Sequence, residues 1–565
     1  MAEAIGLALG TTGLISVAQM CIKVAQVVKG MKQFREETTT LFATYEFEYV
    51  RLNLWVTQVL GVSVSYDDLK DLNLADAELP SMLSGDAQID LRAPLHNALN
   101  EVKRILVSLV GLLEKYRATE VSVPRRAGFK TKIYKDGGQE AIESLLREFK
   151  SWNDRLEGVL ESRLRSILIS NMQVQILAAA STPEQLHTIE LASRSSHPAL
   201  NNQVLFRQSL IEIESRDMTD ARNLHVSAAH IEPRRAPREK NNNLREMGIL
   251  TKSGSAEERI LQEWKFGQPD WTANQITEAM NRASKLASML HLDCKPENLR
   301  CLDLVGYTTV DTPLGRSDSQ RIDFCFLYRI PAFADDFAEP LSLREALNTT
   351  ILKSESDKPT LSEKFSIATA LAKSLLAFHS SNWLHKAMCS SSVIFFRGKE
   401  GTRLLYSQPY LSGFEFARPD TARDQTLDAF GGDDFDIFCH PDLVQTIASG
   451  QSGKPRYQRQ YDIYGLGMML LEIGCWSPMS IYAKNKAKDL TNHEQFLKTA
   501  GRSLPPRVGT QYRDVVMRCL QWRPDAEKDP VGWSETDEAR EDRQSQVKLF
   551  MQSVVNVLEG CHCRI

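Results

Sequence analysis

A polar loop between a predicted helix and a short apolar strand constrains the fold of this chain more than any other feature. The loop opens at His385 and ends at Ser392, directly before the apolar residues 393–396. Residues 361–379 before it carry apolar side chains at helical spacing. The loop is therefore expected to connect a helix to a strand.

Three further motifs follow the loop in a fixed order. They are the triplet Gly413, Phe414 and Glu415, the triplet 440–442, and the apolar helix that opens around Asp462. Together with His385 and Lys386 they resemble the protein kinase family, in which Asp-Phe-Gly and Ala-Pro-Glu follow a His-Arg-Asp loop. The resemblance covers about residues 248–565. It implies a two-lobed α+β protein-kinase-like fold in which Asp462 is a scaffold residue that holds the loop backbone.

The residues that a kinase uses for phosphoryl transfer are replaced. By the resemblance, Ala387 stands in place of the catalytic Asp, while Ser392 and Gly413 stand at the two metal-binding positions. Phosphoryl transfer depends on positioning and on charge neutralisation by metal, and a general base contributes about 10²–10⁴-fold. The domain is therefore predicted to be a pseudokinase without an intact catalytic or metal site. Glu415 is a candidate metal ligand from a shifted position, so an atypical kinase stays an alternative.

The predicted smaller lobe carries the candidate nucleotide-binding residues. Residues 259–265 are predicted to form a strand that ends in Lys265, the candidate phosphate-binding residue. Residues 299–306 and 321–328 are predicted to be further strands of the same lobe. The helix predicted over 276–290 offers Glu278 as the partner of Lys265. No G-x-G-x-x-G motif precedes the lysine. ATP is a candidate cofactor on this interpretation, and a solvent-exposed lysine on an edge strand is the alternative.

The N-terminal residues 4–22 contain no charged side chain. Their length approaches a bilayer span, but their glycine and polar content disfavours a constitutive one. Three glycines recur at i, i+4 and i+7, and thus on one helix face. A buried helix at rest is the structural interpretation, and insertion into a membrane on activation is the functional one. The candidate membrane-active residues are Gly6, Gly10, Gly13, Leu14 and Ile15.

Helical patterns dominate the region that follows. Apolar side chains recur at helical spacing over 34–61, 102–116 and 141–160. The opening Met-Ala-Glu-Ala-Ile-Gly, the run from Arg51 to Trp55 and the Lys-Ile-Tyr-Lys-Asp at 132–136 resemble the fungal HeLo domain. This is the prion-inhibition and propagation domain of the HET-s type. The resemblance covers about residues 1–220. It implies an all-α helical bundle that self-associates and permeabilises membranes once its N-terminal helix is released.

Length, charge and cysteine spacing limit the remaining choices. The chain has 565 residues, a formal net charge of −4 and 10 cysteines without paired spacing. These values predict two or more domains, disfavour binding to nucleic acid and indicate a reducing setting. A polar linker is predicted over 221–247, between the bundle at 1–220 and the kinase-like domain at 248–565. Cytoplasmic localisation with conditional plasma-membrane association is predicted.

The pairing of the two resemblances predicts a fungal effector of cell death, heterokaryon incompatibility or immunity. In this hypothesis the pseudokinase senses an unidentified upstream signalling protein and controls the helical bundle, whose partner on activation is membrane lipid. The architecture resembles that of necroptosis effectors of the mixed-lineage-kinase-domain-like type. Two alternatives stay open: an atypical protein kinase with ATP-dependent phosphotransfer, and a non-enzymatic signalling scaffold.

Overall fold

The structure is a computed structural model. It describes residues 39–60, 92–122, 137–158, 160, 162–180, 182–194, 197–215, 224–233, 245–251, 257–268, 271–313, 320–335, 338–348, 357–399, 401, 403–414, 417–419, 437–448, 457–483, 491–523 and 545–562. The predicted membrane-active residues Gly6, Gly10, Gly13, Leu14 and Ile15 lie outside the described residues, as does Glu415.

The chain divides into two compact units, Met1–Val204 and Leu205–Ile565. In the described residues the first unit is helical, and the second mixes a curled sheet with helices. The protein is therefore multidomain, as predicted. The sequence-based boundaries at residues 220 and 247 divide the chain differently and stay a prediction.

Amphipathic helices build the first unit. Its described helices are α1 Thr39–Leu60, α2 Arg92–Ser122, α3 Gly138–Gly158, α4 Ser162–Ala179, α5 Pro183–Ser193 and α6 Pro198–Ser215, the last of which runs past the unit boundary. Helix α1 packs against α3, α4 and α5, and α2 packs against α3. Phe47 of α1, Met172 of α4 and Leu200 of α6 belong to one apolar core. Burial of side chains of this size stabilises the unit by about 1.5–3 kcal/mol each.

An antiparallel sheet opens the second unit. Its strands are β1 Ile231–Glu232, β2 Arg245–Leu250, β3 Glu258–Lys265, β4 Leu304–Pro313 and β5 Gln320–Arg329, in the order β1-β2-β3-β5-β4. Helix α7, Ala273–His291, connects β3 to β4 and packs against β4. Ile260, Trp264 and Cys325 meet in the apolar core of the sheet. Alternate residues of β3 face the opposite side, which carries the polar residues described below.

Helices and short strands complete the second unit. They are β6 Leu341–Ser342, α8 Leu343–Leu347, α9 Leu361–Ser380, β7 Trp383–Leu384, β8 Val393–Phe395, β9 Tyr410–Leu411, β10 Arg418–Pro419, α10 Pro441–Ala448, α11 Arg459–Cys475, α12 Thr491–Ser503, α13 Pro505–Val508, α14 Thr510–Leu520 and α15 Asn556–His562. Helix α11 is buried along its whole length and packs against α9 and α14. Shorter 3-10 turns span Ala228–His230, Glu297–Leu299, Ser390–Ser392 and Met479–Ile481, and a π-turn spans Met551–Val555.

Local sequence signals set the starts of four described helices. Thr182, Thr272, Ser342 and Thr360 each cap a helix and form a capping box with the Gln or Glu three residues later. The hydroxyl accepts from a backbone N–H at the helix start, and the Gln or Glu side chain accepts from the N–H of the cap residue. Helices α5, α7, α8 and α9 therefore begin where the chain itself satisfies the otherwise unpaired donors.

Two predicted segments differ from the observed ones. The strand expected over 299–306 starts only at Leu304, because a 3-10 turn occupies Glu297–Leu299 and Arg300 takes a left-handed conformation with φ of 51°. The segment predicted as a linker contains β1 and the first half of β2, residues 245–247, and the two strands pair with each other in the sheet. Polar composition concealed them, because strands are recognised by apolar alternation and Glu232, Arg245 and Glu246 are charged.

Candidate functional site

Asp462 of helix α11 anchors the loop that the sequence singled out. Its carboxylate accepts the backbone N–H groups of His385 at 2.9 Å and Lys386 at 2.8 Å, and the hydroxyl of Tyr457 at 3.0 Å. Lys386 can present its N–H in this way because its backbone is left-handed, with φ of 65°. Burial would raise the pKa of Asp462, but hydrogen bonds from the side chain of His379 and the backbone of His385 hold it below its ordinary value.

His385 joins the loop to the segment that follows strand β9. One ring nitrogen, Nε2, lies 3.0 Å from the carbonyl oxygen of Ser412, and the other, Nδ1, accepts the N–H of Ala387 at 3.2 Å. Burial lowers the pKa of His385 to about 4, against the opposing charge of Asp462. The ring is therefore neutral at pH 7 and donates through Nε2. Its role in this geometry is to fix the loop.

The residues at the predicted catalytic and metal positions are engaged in local structure. Ala387 is buried and has no proton-accepting side chain. The Ser392 hydroxyl donates to the carbonyl of Cys389 at 2.7 Å and accepts its N–H at 3.2 Å, so both functions close one turn. Phe414 stacks on Phe378 with ring centroids 5.4 Å apart. Among the described residues, no group of three or more His, Cys, Asp or Glu side chains is placed to hold a metal ion.

An ion pair that the sequence analysis missed lies between the sheet and this loop. Arg245 on β2 and Glu263 on β3 are directly opposite in the register, and Arg245 Nε donates to Glu263 Oε1 at 2.7 Å. The same guanidinium donates to the carbonyl of Ser391 and to the hydroxyl of Ser412, both at 2.7 Å. Gly413, with φ of 73°, directs its N–H to Glu263 Oε1 at 3.3 Å. We call this arrangement the Arg245 latch.

A small space lies beside the latch, between strands β3 and β5 and residues 411–412. The space is lined by Leu261, Glu263, Leu302, Tyr328, Leu411 and Ser412, and it does not admit a water molecule. The Tyr328 hydroxyl donates to Glu263 at 3.2 Å, which adds a further bond to the carboxylate. A buried carboxylate repels the phosphates of a nucleotide. The buried carboxylate of Glu263 therefore disfavours a phosphate group at this position.

The two predicted nucleotide-binding residues lie elsewhere. Lys265 is the last residue of β3, is partly exposed and stands opposite Phe324 of β5. Glu278 is exposed on α7, and its ion-pair partner is Arg282 one turn along the helix. The side chain of β3 that reaches the loop is Glu263, two residues before Lys265 and on the same strand face. Because alternate residues of a strand lie on the same face, the sequence also identifies Glu263 as a candidate for contact with the loop.

The helical unit buries a second cluster of charges. Arg51 of α1 donates to Glu48 at 2.8 Å, to Asp154 at 2.7 Å and to Glu157 at 3.0 Å, and its side chain is only 1% exposed. Asn153 donates to Glu48 at 2.9 Å. Burial raises the pKa of Glu48 against the charge of Arg51, whereas the ammonium of Lys150 and the guanidinium of Arg51 hold the pKa of Asp154 low despite its partial burial. The cluster joins α1 to α3.

Family models match both halves of the chain. The chain belongs to the family described as Domain of unknown function (DUF7580), whose model matches residues 255–560. The HeLo family, described as prion-inhibition and propagation, matches residues 6–132. No curated protein matches the chain. The resemblance to HeLo is thus confirmed over 6–132, and it indicates an effector of the fungal cell-death or incompatibility type.

The membrane-spanning potential of the described helices is low. In the part of the chain that the structure describes, none of the helices has the length and apolarity needed to cross a bilayer. The predicted membrane-active residues belong to the HeLo match but lie outside that part.

Proposed function

We propose that this protein is a two-part effector in which a non-catalytic, kinase-like C-terminal module controls a membrane-active HeLo domain. The C-terminal module receives a signal, and the HeLo domain then self-associates and permeabilises a membrane. The protein is cytoplasmic before activation on this proposal and reaches the plasma membrane afterwards.

The kinase-like part of the proposal is supported by topology and by the anchored loop. Five antiparallel strands in the order β1-β2-β3-β5-β4, with α7 between β3 and β4, suit the smaller lobe of such a fold. The capture of two loop N–H groups by Asp462 of a buried helix suits the larger lobe. Fold alone does not fix activity, so the function has to be argued from the site.

The Arg245 latch is the observation that carries the proposal. Phosphoryl transfer needs cationic groups and metal ions around the phosphates, whereas the guanidinium of Arg245 is engaged by Glu263, Ser391 and Ser412. A bonded contact between the sheet and the loop suits a module with closed and open conformations. This favours control by binding over catalysis, and it disfavours the atypical-kinase alternative.

The membrane-active part is supported by the family match and by composition. The HeLo match begins at residue 6 and so includes the uncharged stretch 4–22. A stretch of this length without charge suits insertion into the hydrocarbon region once it is released. Membrane lipid and further copies of the chain are the partners that this mechanism requires.

Dye release from anionic liposomes tests the proposal with the full chain. Arg245→Gln removes the cation of the latch, and we expect it to raise leakage by about tenfold over the wild-type chain, as loss of about 1.4 kcal/mol of restraint would do. Arg282→Gln, on the exposed face of α7, is the matched control and should leave leakage unchanged. Leakage by Arg245→Gln should disappear when residues 1–22 are also deleted.

Each other result assigns a different function. Leakage that survives the deletion of residues 1–22 contradicts the membrane mechanism. Absence of leakage from every variant favours the scaffold alternative. Transfer of labelled phosphate from ATP with magnesium or manganese, abolished by Lys265→Met, favours the atypical kinase.

A further inference from the structure

A cavity separate from the Arg245 latch lies among the starts of α10 and α12 and the end of α14. It has a volume of about 340 Å³, which is within the range of small-ligand sites. Its walls combine apolar surface with a few polar groups, the usual composition of such sites. The lining residues are His440, Pro441, Asp442, His493, Leu520, Gln521, Trp522 and Arg523.

His440 contributes a hydrogen-bond donor to the lining. Its Nδ1 accepts the backbone N–H of Asp442 at 3.1 Å, which places the ring proton on Nε2. Burial lowers the pKa of His440 to about 4, helped by the charges of His493 and Arg523 and opposed by Asp442. The ring is therefore neutral at pH 7, and Nε2–H is the donor that it has left.

His493 is arranged in the same way. Its Nδ1 lies 3.3 Å from the hydroxyl of Tyr464. Burial raises the pKa of Tyr464, so the hydroxyl keeps its proton and shares a hydrogen bond with Nδ1 as donor or as acceptor. Burial and the charge of Arg523 lower the pKa of His493. This ring is also neutral at pH 7 and carries one N–H donor.

Trp522 and Arg523 complete a lining that is rich in donors. Among the described residues the buried indole Nε1–H of Trp522 has no hydrogen-bond partner. Arg523 is an exposed cation whose charge reaches both histidines. The lining holds a single carboxylate, Asp442, whose side chain is 48% exposed. Two imidazole donors and a guanidinium beside apolar walls suit an anion that carries an apolar group.

We propose that this cavity binds a small organic anion, with its carboxylate or phosphate near Arg523 and the imidazoles of His440 and His493. The apolar part of the ligand packs against Pro441, Leu520 and Trp522. This site is independent of the proposed effector function, because it requires neither a membrane nor an opened latch.

Calorimetric titration of the full chain with phenyl phosphate, benzoate and benzylamine tests the proposal. Phenyl phosphate and benzoate share an aromatic ring with benzylamine, but they carry the opposite charge. Arg523→Gln should weaken binding of the bound anion by about tenfold, the effect of losing one charge-assisted hydrogen bond. Arg518→Gln, an exposed arginine of α14 outside the lining, should leave affinity unchanged. Asp442→Asn should tighten anion binding because it removes the opposing charge.

The pH dependence gives a second readout. A bound anion favours protonation of His440 and His493, so affinity should rise as pH falls from 7 to 5. His493→Gln keeps an acceptor for Tyr464, and it should reduce that rise. The affinities of phenyl phosphate and benzoate, compared with each other, show whether phosphate or carboxylate is the preferred group. Stronger binding of benzylamine, an equal loss with Arg518→Gln, or absence of binding by both anions at millimolar concentration would overturn the proposal.

Discussion

The helical unit and the C-terminal unit each bury an ionised group, and they neutralise it by different means. In the helical unit, Arg51 is surrounded by side-chain carboxylates from α1 and α3. In the C-terminal unit, Asp462 is held mainly by backbone N–H groups of a loop and by Tyr457. Side-chain pairing fixes one helix against another, whereas backbone pairing fixes the path of a single segment.

The two clusters differ in what must move when their hydrogen bonds break. The carboxylates around Arg51 regain water if α1 and α3 separate, and all of them can be hydrated as ions. The donors at Asp462 belong to the loop backbone, so their release requires the loop itself to change conformation. The first cluster therefore suits a joint between elements, and the second suits a permanent part of the fold.

Removal of the cation from the helical unit should have the largest effect. In Arg51→Met, Glu48 and Glu157 stay buried without their partner, and loss of one member of a buried pair costs about 3–5 kcal/mol. Hydrogen exchange in the full chain should show this loss in peptides from α1 and α3. Arg147→Met, an exposed change on α3, is the control and should leave exchange unchanged. A loss confined to one of the two helices would contradict the idea of a joint.

A second carboxyl of helix α11 sharpens the contrast with Asp462. Burial raises the pKa of Glu472 to about 7, although Ser390 and the N–H of Met479 donate to it and Arg344 lies near. The folded state thus binds this proton more tightly than the unfolded state. Stability contributed by the protonated form is lost as pH rises from about 4.5 to 7.

Glu472→Gln should abolish this pH dependence, because the amide reproduces the protonated acid. The variant should match the wild-type chain near pH 4 and exceed it by about 3 kcal/mol at pH 8. Hydrogen exchange of α11 in the full chain, compared at each pH, measures the difference. A difference that stays constant with pH would show that folding does not change the pKa of Glu472.

Two glycines give the smallest expected effects, of opposite sign. A Cβ at Gly465 would lie 2.5 Å from the carbonyl oxygen of Met388, in the loop that Asp462 anchors. Gly465→Ala should therefore destabilise α11 by about 1–3 kcal/mol. A Cβ at Gly501 of α12 meets nothing within 4 Å, so Gly501→Ala should stabilise by about 0.5–1 kcal/mol. Urea unfolding of both variants tests this, and equal shifts would mean that the loop adapts freely.

Long-period patterns in the sequence predicted the elements of the fold well. The helices expected over 276–290 and 361–379 and the strand over 321–328 appear as α7, α9 and β5. Apolar periodicity indicates which side chains are buried, so the secondary structure of these segments can be predicted without tertiary information. The end of a helix or a strand depends on caps and left-handed residues such as Arg300, which periodicity does not report.

The sequence pattern did not predict the Arg245 latch. Arg245 and Glu263 stand 18 positions apart, and they meet because β2 and β3 pair in one register. That register depends on the sheet and not on the polar segment that contains Arg245. Lys265 was predicted to be a functional residue because a lysine is the expected phosphate ligand. Glu263, on the same strand face, belongs to no sequence motif that would identify it.

The three contacts of Arg245 outside its own strand have a further consequence. One guanidinium bonds β3, the end of the 385–392 loop and the segment after β9, each at 2.7 Å. Withdrawal of that single side chain breaks all three bonds in one event, so the contact has no half-open form. Each molecule is therefore either latched or unlatched, and a partner that binds one of the two forms more tightly shifts the population towards it.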